Sequence, residues 1–221
     1  MMQFEINKLA LQGFYEQHKE AYMARRMSGD TSQWDEAYKW DLLPELNQRL
    51  SKFDAITEQN VAYLVKLLQD NNPQNGSFCH WSELDTLSKQ VASKPVSAKA
   101  LNYVWSADPS LIGDEINSTN DLLHNFFSGS FKLGPAMYGY ILASKDCENY
   151  ALFHSKILNS LVDIQALEPP TRQGDKYQLV NNSACYIGSL MNQERDVYSD
   201  RKFYTALNGQ DFLWVMANKE Y

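Results

Sequence analysis

The spacing of apolar residues is the feature of this sequence that most restricts its fold. Apolar and aromatic side chains recur at intervals of three, four or seven residues, which places them on one face of an α-helix. In the segment 3–26 this stripe consists of Phe4, Leu11, Phe14, Tyr15, His18 and Tyr22. No run of about four to eight residues combines alternation with β-branched enrichment, as a half-buried strand would. The sequence therefore predicts an all-α fold.

Capping residues and loop signals divide the chain into predicted helices. The pattern predicts helices at 3–26, 135–144, 155–164, 180–192 and 209–218, with N-caps at Thr57, Ser82 and Ser97. Clusters of Asn, Pro and Gly predict loops at 71–76 and 168–175. We expect about eight to ten helices in one globular domain spanning 1–221, with a soft subdivision into 1–108 and 109–221.

The acidic charge balance limits the classes of partner. The formal net charge is -7 and the pI is near 5.1. Binding to nucleic acid depends on positive side chains that release counterions from phosphates, so a globally acidic chain starts at a disadvantage. A DNA-binding role would require a local basic surface.

The cysteines argue against metal chemistry and a disulfide framework. Cys79, Cys147 and Cys185 are odd in number and form no Cys-x-x-Cys pair. We therefore expect reduced thiols and no metal site. We also expect no cofactor, because the sequence has no nucleotide-binding Gly-x-x-x-x-Gly-Lys-(Ser/Thr) loop. Without a signal-peptide pattern or an apolar stretch of about 20 residues, we expect no membrane association and a cytoplasmic location.

The most informative local pattern is Phe131-Lys132-Leu133-Gly134-Pro135-Ala136. Glycine followed by proline and a small residue is typical of a helix start, where free backbone N–H groups and the helix dipole can bind an anion such as a phosphate. Lys132 would add a charge-assisted contact. An ordinary helix start capped by a Gly-Pro turn is the alternative interpretation.

A DNA-binding site built on this turn would draw on residues beyond it. The predicted phosphate contacts come from Lys132, the backbone amides at Gly134 to Ala136, Lys145 and Lys156. Tyr138 or Tyr140 would line the groove beside them. No catalytic residue is predicted.

The turn resembles the helix-hairpin-helix element of DNA-repair glycosylases and related DNA-binding proteins. In this sequence Lys132 stands where that element has its first glycine, so Gly134 alone matches. The resemblance implies a helix pair that grips the DNA backbone. Glycosylase activity is not expected, because the stretch that should carry the catalytic aspartate is Phe153-His154-Ser155-Lys156.

A broader resemblance covers about two-thirds of the chain loosely. The segments that carry it are Leu42-Leu43-Pro44-Glu45-Leu46-Asn47, Ile56-Thr57-Glu58, Asn72 to Trp81, Leu133-Gly134-Pro135-Ala136 and Phe212-Leu213-Trp214-Val215. Together they are similar to the helical N-terminal domains of McrB-like restriction proteins. In that family such a domain reads DNA, while a separate AAA+ domain hydrolyses GTP and a partner subunit cuts. The resemblance implies a recognition module that works with a motor or nuclease subunit.

Two functions from different classes follow from these patterns. The preferred one is a non-catalytic DNA-recognition module of a restriction or phage-defence system. The alternative is a protein-interaction or adaptor module, which the net charge of -7 and the aromatic content of 13% favour. An enzyme whose site is assembled from distant residues is a third, weaker option.

Overall fold

The computed structural model describes residues 5–26, 36–73, 78–91, 95–127, 133–194 and 202–218. The predicted all-α class is confirmed, since these ranges contain α-helices and no strand. The helices are α1 Lys8–Arg26, α2 Lys39–Leu50, α3 Val61–Asn71, α4 Trp81–Thr86, α5 Pro95–Trp105, α6 Ile112–Phe126, α7 Pro135–Lys145, α8 Ser155–Gln165, α9 Gln173–Gln193 and α10 Thr205–Ala217. A short π-helix, Leu87–Val91, continues α4, and a 3-10 turn, Pro109–Leu111, precedes α6. No helix in these ranges has both the length and the apolarity needed to cross a membrane.

The hydrophobic core is continuous across the chain. Helices on both sides of residue 108 contribute to it, from Leu11 in α1 to Met216 in α10. The helix α7 is buried on almost every side, with all residues from Met137 to Ser144 inaccessible. Such a helix has no polar face to present to solvent, so it forms the centre of the packing rather than a surface groove.

The longest helix, α9, approaches two neighbours closely enough for backbone contact. A Cβ atom added at Gly188 would lie 1.9 Å from the carbonyl oxygen of Thr205, and one at Gly209 would lie 1.9 Å from that of Ala184. At the start of α9, a Cβ at Gly174 would lie 1.9 Å from the carbonyl oxygen of Gly113. The three glycines therefore set the separation of α9 from α10 and α6.

A buried ion pair joins α1 to α10. The guanidinium of Arg26 donates two hydrogen bonds to the Asp211 carboxylate, at 2.8 Å from Nε and 2.6 Å from Nη2. The hydroxyl of Tyr22 donates to the same carboxylate at 2.7 Å. Burial and the nearby Asp211 charge raise the pKa of Tyr22 well above its usual value, so its hydroxyl stays a neutral donor.

Several predicted helix starts are wrong by a few residues. The N-cap of α3 is Asn60 rather than Thr57, and that of α4 is His80 rather than Ser82. The helix α5 begins at Pro95, before the predicted cap Ser97, which is buried instead. Proline suits a first helical position because its missing N–H would have no partner there.

The predicted loop 168–175 is also wrong in its second half, because α9 begins at Gln173. The side chain of Asn117 in α6 accepts a hydrogen bond from the Gly174 N–H at 2.9 Å and donates to the Asp175 carboxylate at 2.8 Å. This tertiary contact satisfies one of the backbone N–H groups that have no partner within the first helical turn. Local sequence chemistry favours a loop here, and packing against α6 overrides it.

We expect Gly188→Ala and Gly209→Ala each to lower the free energy of unfolding by about 1–3 kcal/mol, because the added methyl group forces α9 and α10 apart. Gly13→Ala is the matched control, since Gly13 also lies inside a helix but has no atom within 4 Å of the added Cβ. That change should instead stabilise the fold by up to about 1 kcal/mol. Chemical denaturation measures all three, and equal effects at the three positions would contradict the close approach.

We expect Asp211→Asn to destabilise the fold by about 3–5 kcal/mol, because it leaves the buried Arg26 charge without its partner. The matched control is Glu45→Gln, which removes a half-exposed partner of Arg49 within α2. That pair should contribute no more than about 0.5 kcal/mol. Urea denaturation of both variants gives the comparison, and a loss at Asp211 as small as that at Glu45 would refute it.

Candidate functional site

The Gly134 turn starts α7 and is held from inside the protein. Gly134 is the N-cap in extended conformation, with Pro135 at the first helical position, as the sequence suggests. The buried amide of Asn120 accepts from the Leu133 N–H and donates to the Leu133 carbonyl, both at 3.1 Å. The Tyr138 hydroxyl donates to the same amide oxygen at 2.9 Å. These bonds fix the chain as it enters α7.

The side-chain carboxyl group of Glu83 lies against this turn, and the Met137 N–H in the first turn of α7 donates a hydrogen bond to it. A Cβ at Gly134 would lie 2.5 Å from Oε1 of Glu83, so the missing side chain leaves the space that this carboxylate occupies. Burial raises the pKa of Glu83, while His80 and a hydrogen bond from the Met137 N–H act in the opposite direction. The turn thus has a carboxyl group at the position where the sequence analysis places a phosphate, and that group comes from α4.

The helices beside this turn pack mainly on other elements. The helix α6 packs chiefly against α5 and α9, whereas α7 packs chiefly against α2 and α9. A helix-hairpin-helix pair depends on two helices that pack on each other across a tight turn. In the described residues α6 and α7 thus have different main packing partners, apart from α9, which they share.

Lys145, one predicted phosphate contact, is used within the fold. Its ammonium donates to the Trp105 carbonyl oxygen at 2.5 Å, at the end of α5. It also lies 5.4 Å from the Trp105 ring and 5.7 Å from the Tyr150 ring. Burial lowers the pKa of Lys145, against the opposing effect of Asp146. The side chain therefore neutralises the carbonyl end of α5 and stacks on two aromatic rings.

The other predicted phosphate contacts that the structure describes differ in their surroundings. Lys156 is exposed at the start of α8 and donates to Asn218 at 2.8 Å, while Ala136 is partly buried against the core. Lys132 lies outside the described residues. Gly134 and Lys145 stand at opposite ends of α7, about 16 Å apart along the helix. Gly134 and Lys145 are therefore too far apart to contact the same phosphate.

The two tyrosines expected to line a groove are inside the core, which corrects that prediction. Tyr138 and Tyr140 both have 0% exposure. Tyr138 donates to Asn120, and Tyr140 donates to the Leu68 carbonyl at 3.0 Å. Burial raises the pKa of both hydroxyls. Because α7 is apolar all round, its aromatic residues fill the core instead of facing a ligand.

The exposed aromatic residues lie elsewhere, and Trp81 is the most prominent. Its side chain is 69% exposed at the first position of α4 and stands 5.5 Å from the His80 ring. Asp85 and Lys89, which form a 2.7 Å ion pair, follow on the same side of the helix. The other large apolar side chains with high exposure in the described ranges are Leu9, Tyr63, Tyr103, Leu111 and Phe126.

Sequence analysis missed the contributions of Glu83 and Trp81. A helix-start acid is common, and its sequence position says nothing about the distant α7 amides that it meets in the fold. Beside Trp81, the His80 ring caps α4 by accepting a hydrogen bond from the Ser82 N–H at 3.3 Å. Within the described ranges no three His, Cys, Asp or Glu side chains cluster as metal ligands would.

Comparison of the chain with protein-family models, with curated proteins and with solved structures finds no match.

The carboxylate at the α7 turn leads to a pH-dependent prediction. Because the pKa of Glu83 is raised on folding, its contribution to stability is fully present below the ordinary pKa and is lost as pH rises through the raised one. Glu83→Gln cannot ionise, so it should flatten the stability profile between about pH 4 and pH 7 and be at least as stable as the parent at neutral pH.

Comparing Glu83→Ala with Glu83→Gln separates the effect of the charge from the effect of the hydrogen-bond acceptor. It should be less stable than Glu83→Gln by about 1 kcal/mol, because the start of α7 loses its side-chain partner. Asp85→Asn, which changes an exposed carboxylate on the same helix, serves as the control. Thermal unfolding at several pH values gives the profiles, and an unchanged profile for Glu83→Gln would count against the proposed contact.

Proposed function

We propose that this chain is a protein-interaction module that binds a positively charged partner protein, with Trp81 as the main anchor. The observation that carries the proposal is a tryptophan with 69% exposure at a helix start on an acidic chain. Tryptophan is enriched among the residues that dominate protein interfaces. Charge complementarity favours a basic partner for a chain of net charge -7.

The energy available from Trp81 is large enough to anchor a complex. Burying roughly 150 Å² of an aromatic side chain contributes about 4 kcal/mol at roughly 25 cal/mol per Å². Polar side chains follow in sequence: the His80 ring lies 5.5 Å from the Trp81 ring, and the Asp85–Lys89 pair lies further along the same helical segment. An apolar centre with a polar rim is the usual composition of an interface.

The arrangement of the predicted phosphate contacts supports a protein partner over DNA. The Glu83 carboxylate faces the turn that would receive a phosphate, and Lys145 is bound to a backbone carbonyl. A bound DNA phosphate would have to displace the Glu83 side chain and break the hydrogen bond of Lys145. Each change costs hydrogen bonds and exposes buried groups.

DNA recognition in a restriction or phage-defence system is the competing proposal. Among the lysines predicted to contact phosphate that the structure describes, Lys156 is exposed. The DNA-binding proposal therefore depends on Lys156. The resemblance to McrB-like proteins also suggests a class of protein partner, a motor or nuclease subunit. One experiment addresses both proposals.

A photoreactive amino acid at position 81 should crosslink the partner in cells, and purified partner then allows binding to be measured by calorimetry. We expect Trp81→Ala to weaken binding by about thirtyfold or more, because the anchor ring is lost. Trp81→Phe should retain part of the affinity. Leu9→Ala, which changes a side chain with 83% exposure in α1, is the control and should leave binding unchanged.

Retention of duplex DNA at low salt would support the competing proposal if Lys156→Gln weakens it and Trp81→Ala does not. In that case affinity should fall steeply with rising salt. Partner binding that is the same for Trp81→Ala and the parent would refute the proposed interaction surface.

A further inference from the structure

The side chain of His154 connects the start of α8 to the end of α10. It is the N-cap of α8, and its Nδ1 accepts a hydrogen bond from the Lys156 N–H at 3.1 Å. Its ring meets the Trp214 ring edge-on, with centroids 4.4 Å apart. The Lys156 ammonium donates to Asn218 at 2.8 Å, and the Asn218 amide donates to the Trp214 carbonyl at 2.9 Å. The two helix ends therefore share one cluster of contacts.

This cluster tolerates a neutral imidazole and opposes a charged one. Lys39 of α2 and Lys156 of α8 each place an ammonium 5.9 Å from the Trp214 ring that the histidine contacts. Lys39 is 1% exposed and is paired with Glu36, and its ammonium also donates to Gln210 at 3.0 Å. Burial, then Lys39, then Lys156 lower the pKa of His154. A third cation in this position would add repulsion to the desolvation cost.

Protonation would also remove the helix cap. An imidazolium carries hydrogen on both ring nitrogens, so Nδ1 can no longer accept the Lys156 N–H. The first turn of α8 would then lose its side-chain partner at the same time as the ring gains a charge. The lost cap and the added charge both weaken the contact between α8 and α10 when His154 is protonated.

We propose that His154 is a pH-sensitive latch, which in its neutral form joins the start of α8 to the end of α10 and which releases the two when it is protonated. Neutral His154 contributes stability that is present above its ordinary pKa. That stability is lost as pH falls from there through the lowered pKa of the folded state. Release is thus expected under mildly acidic conditions, and it is independent of the proposed protein partner.

Hydrogen exchange and histidine NMR test the latch on the intact chain. Between about pH 7.5 and pH 5.5, after correction for intrinsic exchange rates, the Lys156 amide should exchange about tenfold faster at the lower pH. The exchange midpoint should coincide with the titration of the His154 ring. Lys156→Met removes a neighbouring positive charge and should shift that ring titration to higher pH.

Two asparagine variants complete the test. His154→Asn keeps an N-cap acceptor without a titrating group, so its α8 exchange should no longer depend on pH. His80→Asn replaces the other helix-capping histidine, which is exposed, and should behave like the parent at α8. The proposal is wrong if His154→Asn keeps the parental pH dependence, or if the ring gains its proton only when the whole chain unfolds.

Discussion

The separation between α9 and its neighbours is the constraint on which the rest of the structure depends. Gly188 and Gly209 let α9 and α10 approach to backbone contact, and Gly174 does the same for α9 and α6. At that distance every residue between the helices loses contact with water, which explains why the middle of α10 is buried on nearly all sides. It also brings the buried carboxylate of Asp211 within reach of α1 through Arg26. A wider spacing would leave this ion pair partly hydrated.

Side-chain amides then connect the irregular segments to this helical frame. Asn120 satisfies both backbone groups of Leu133, and Asn181 accepts from the Ala151 N–H at 2.7 Å. Each side-chain amide carries both N–H donors and a carbonyl acceptor, so it can replace the helical partners that an extended residue lacks. The extended stretch before α8 can be buried for this reason, although loops are normally confined to the surface.

The helices could be predicted from the sequence, whereas the surroundings of the candidate site could not. Periodicity predicted a helix at 155–164, and α8 spans Ser155–Gln165 because its apolar stripe decides its buried face. The predicted start of the last helix at 209 was late, since α10 begins at Thr205, where the Glu148 carboxylate accepts from the Thr205 N–H at 3.1 Å. The Gly134 turn was foreseen as a helix start. The Glu83 carboxyl group that lies against this turn comes from a helix far away in sequence. A local sequence pattern cannot predict such a contact.

The pairing of positive charge on the described surface bears on the choice between the two proposed partners. Four exposed cations in the described ranges each pair with a carboxylate, either one helical turn away or on the adjacent helix: Arg49 with Glu45, Lys66 with Asp70, Lys89 with Asp85 and Arg172 with Asp121. A lysine or arginine that is paired in this way contributes little positive electrostatic potential beyond the carboxylate next to it. DNA binding needs a row of positive side chains that can displace counterions together. Paired charges and an exposed ring such as Trp81 are instead the mixed polar and apolar groups from which protein interfaces are built, which supports the proposed protein partner.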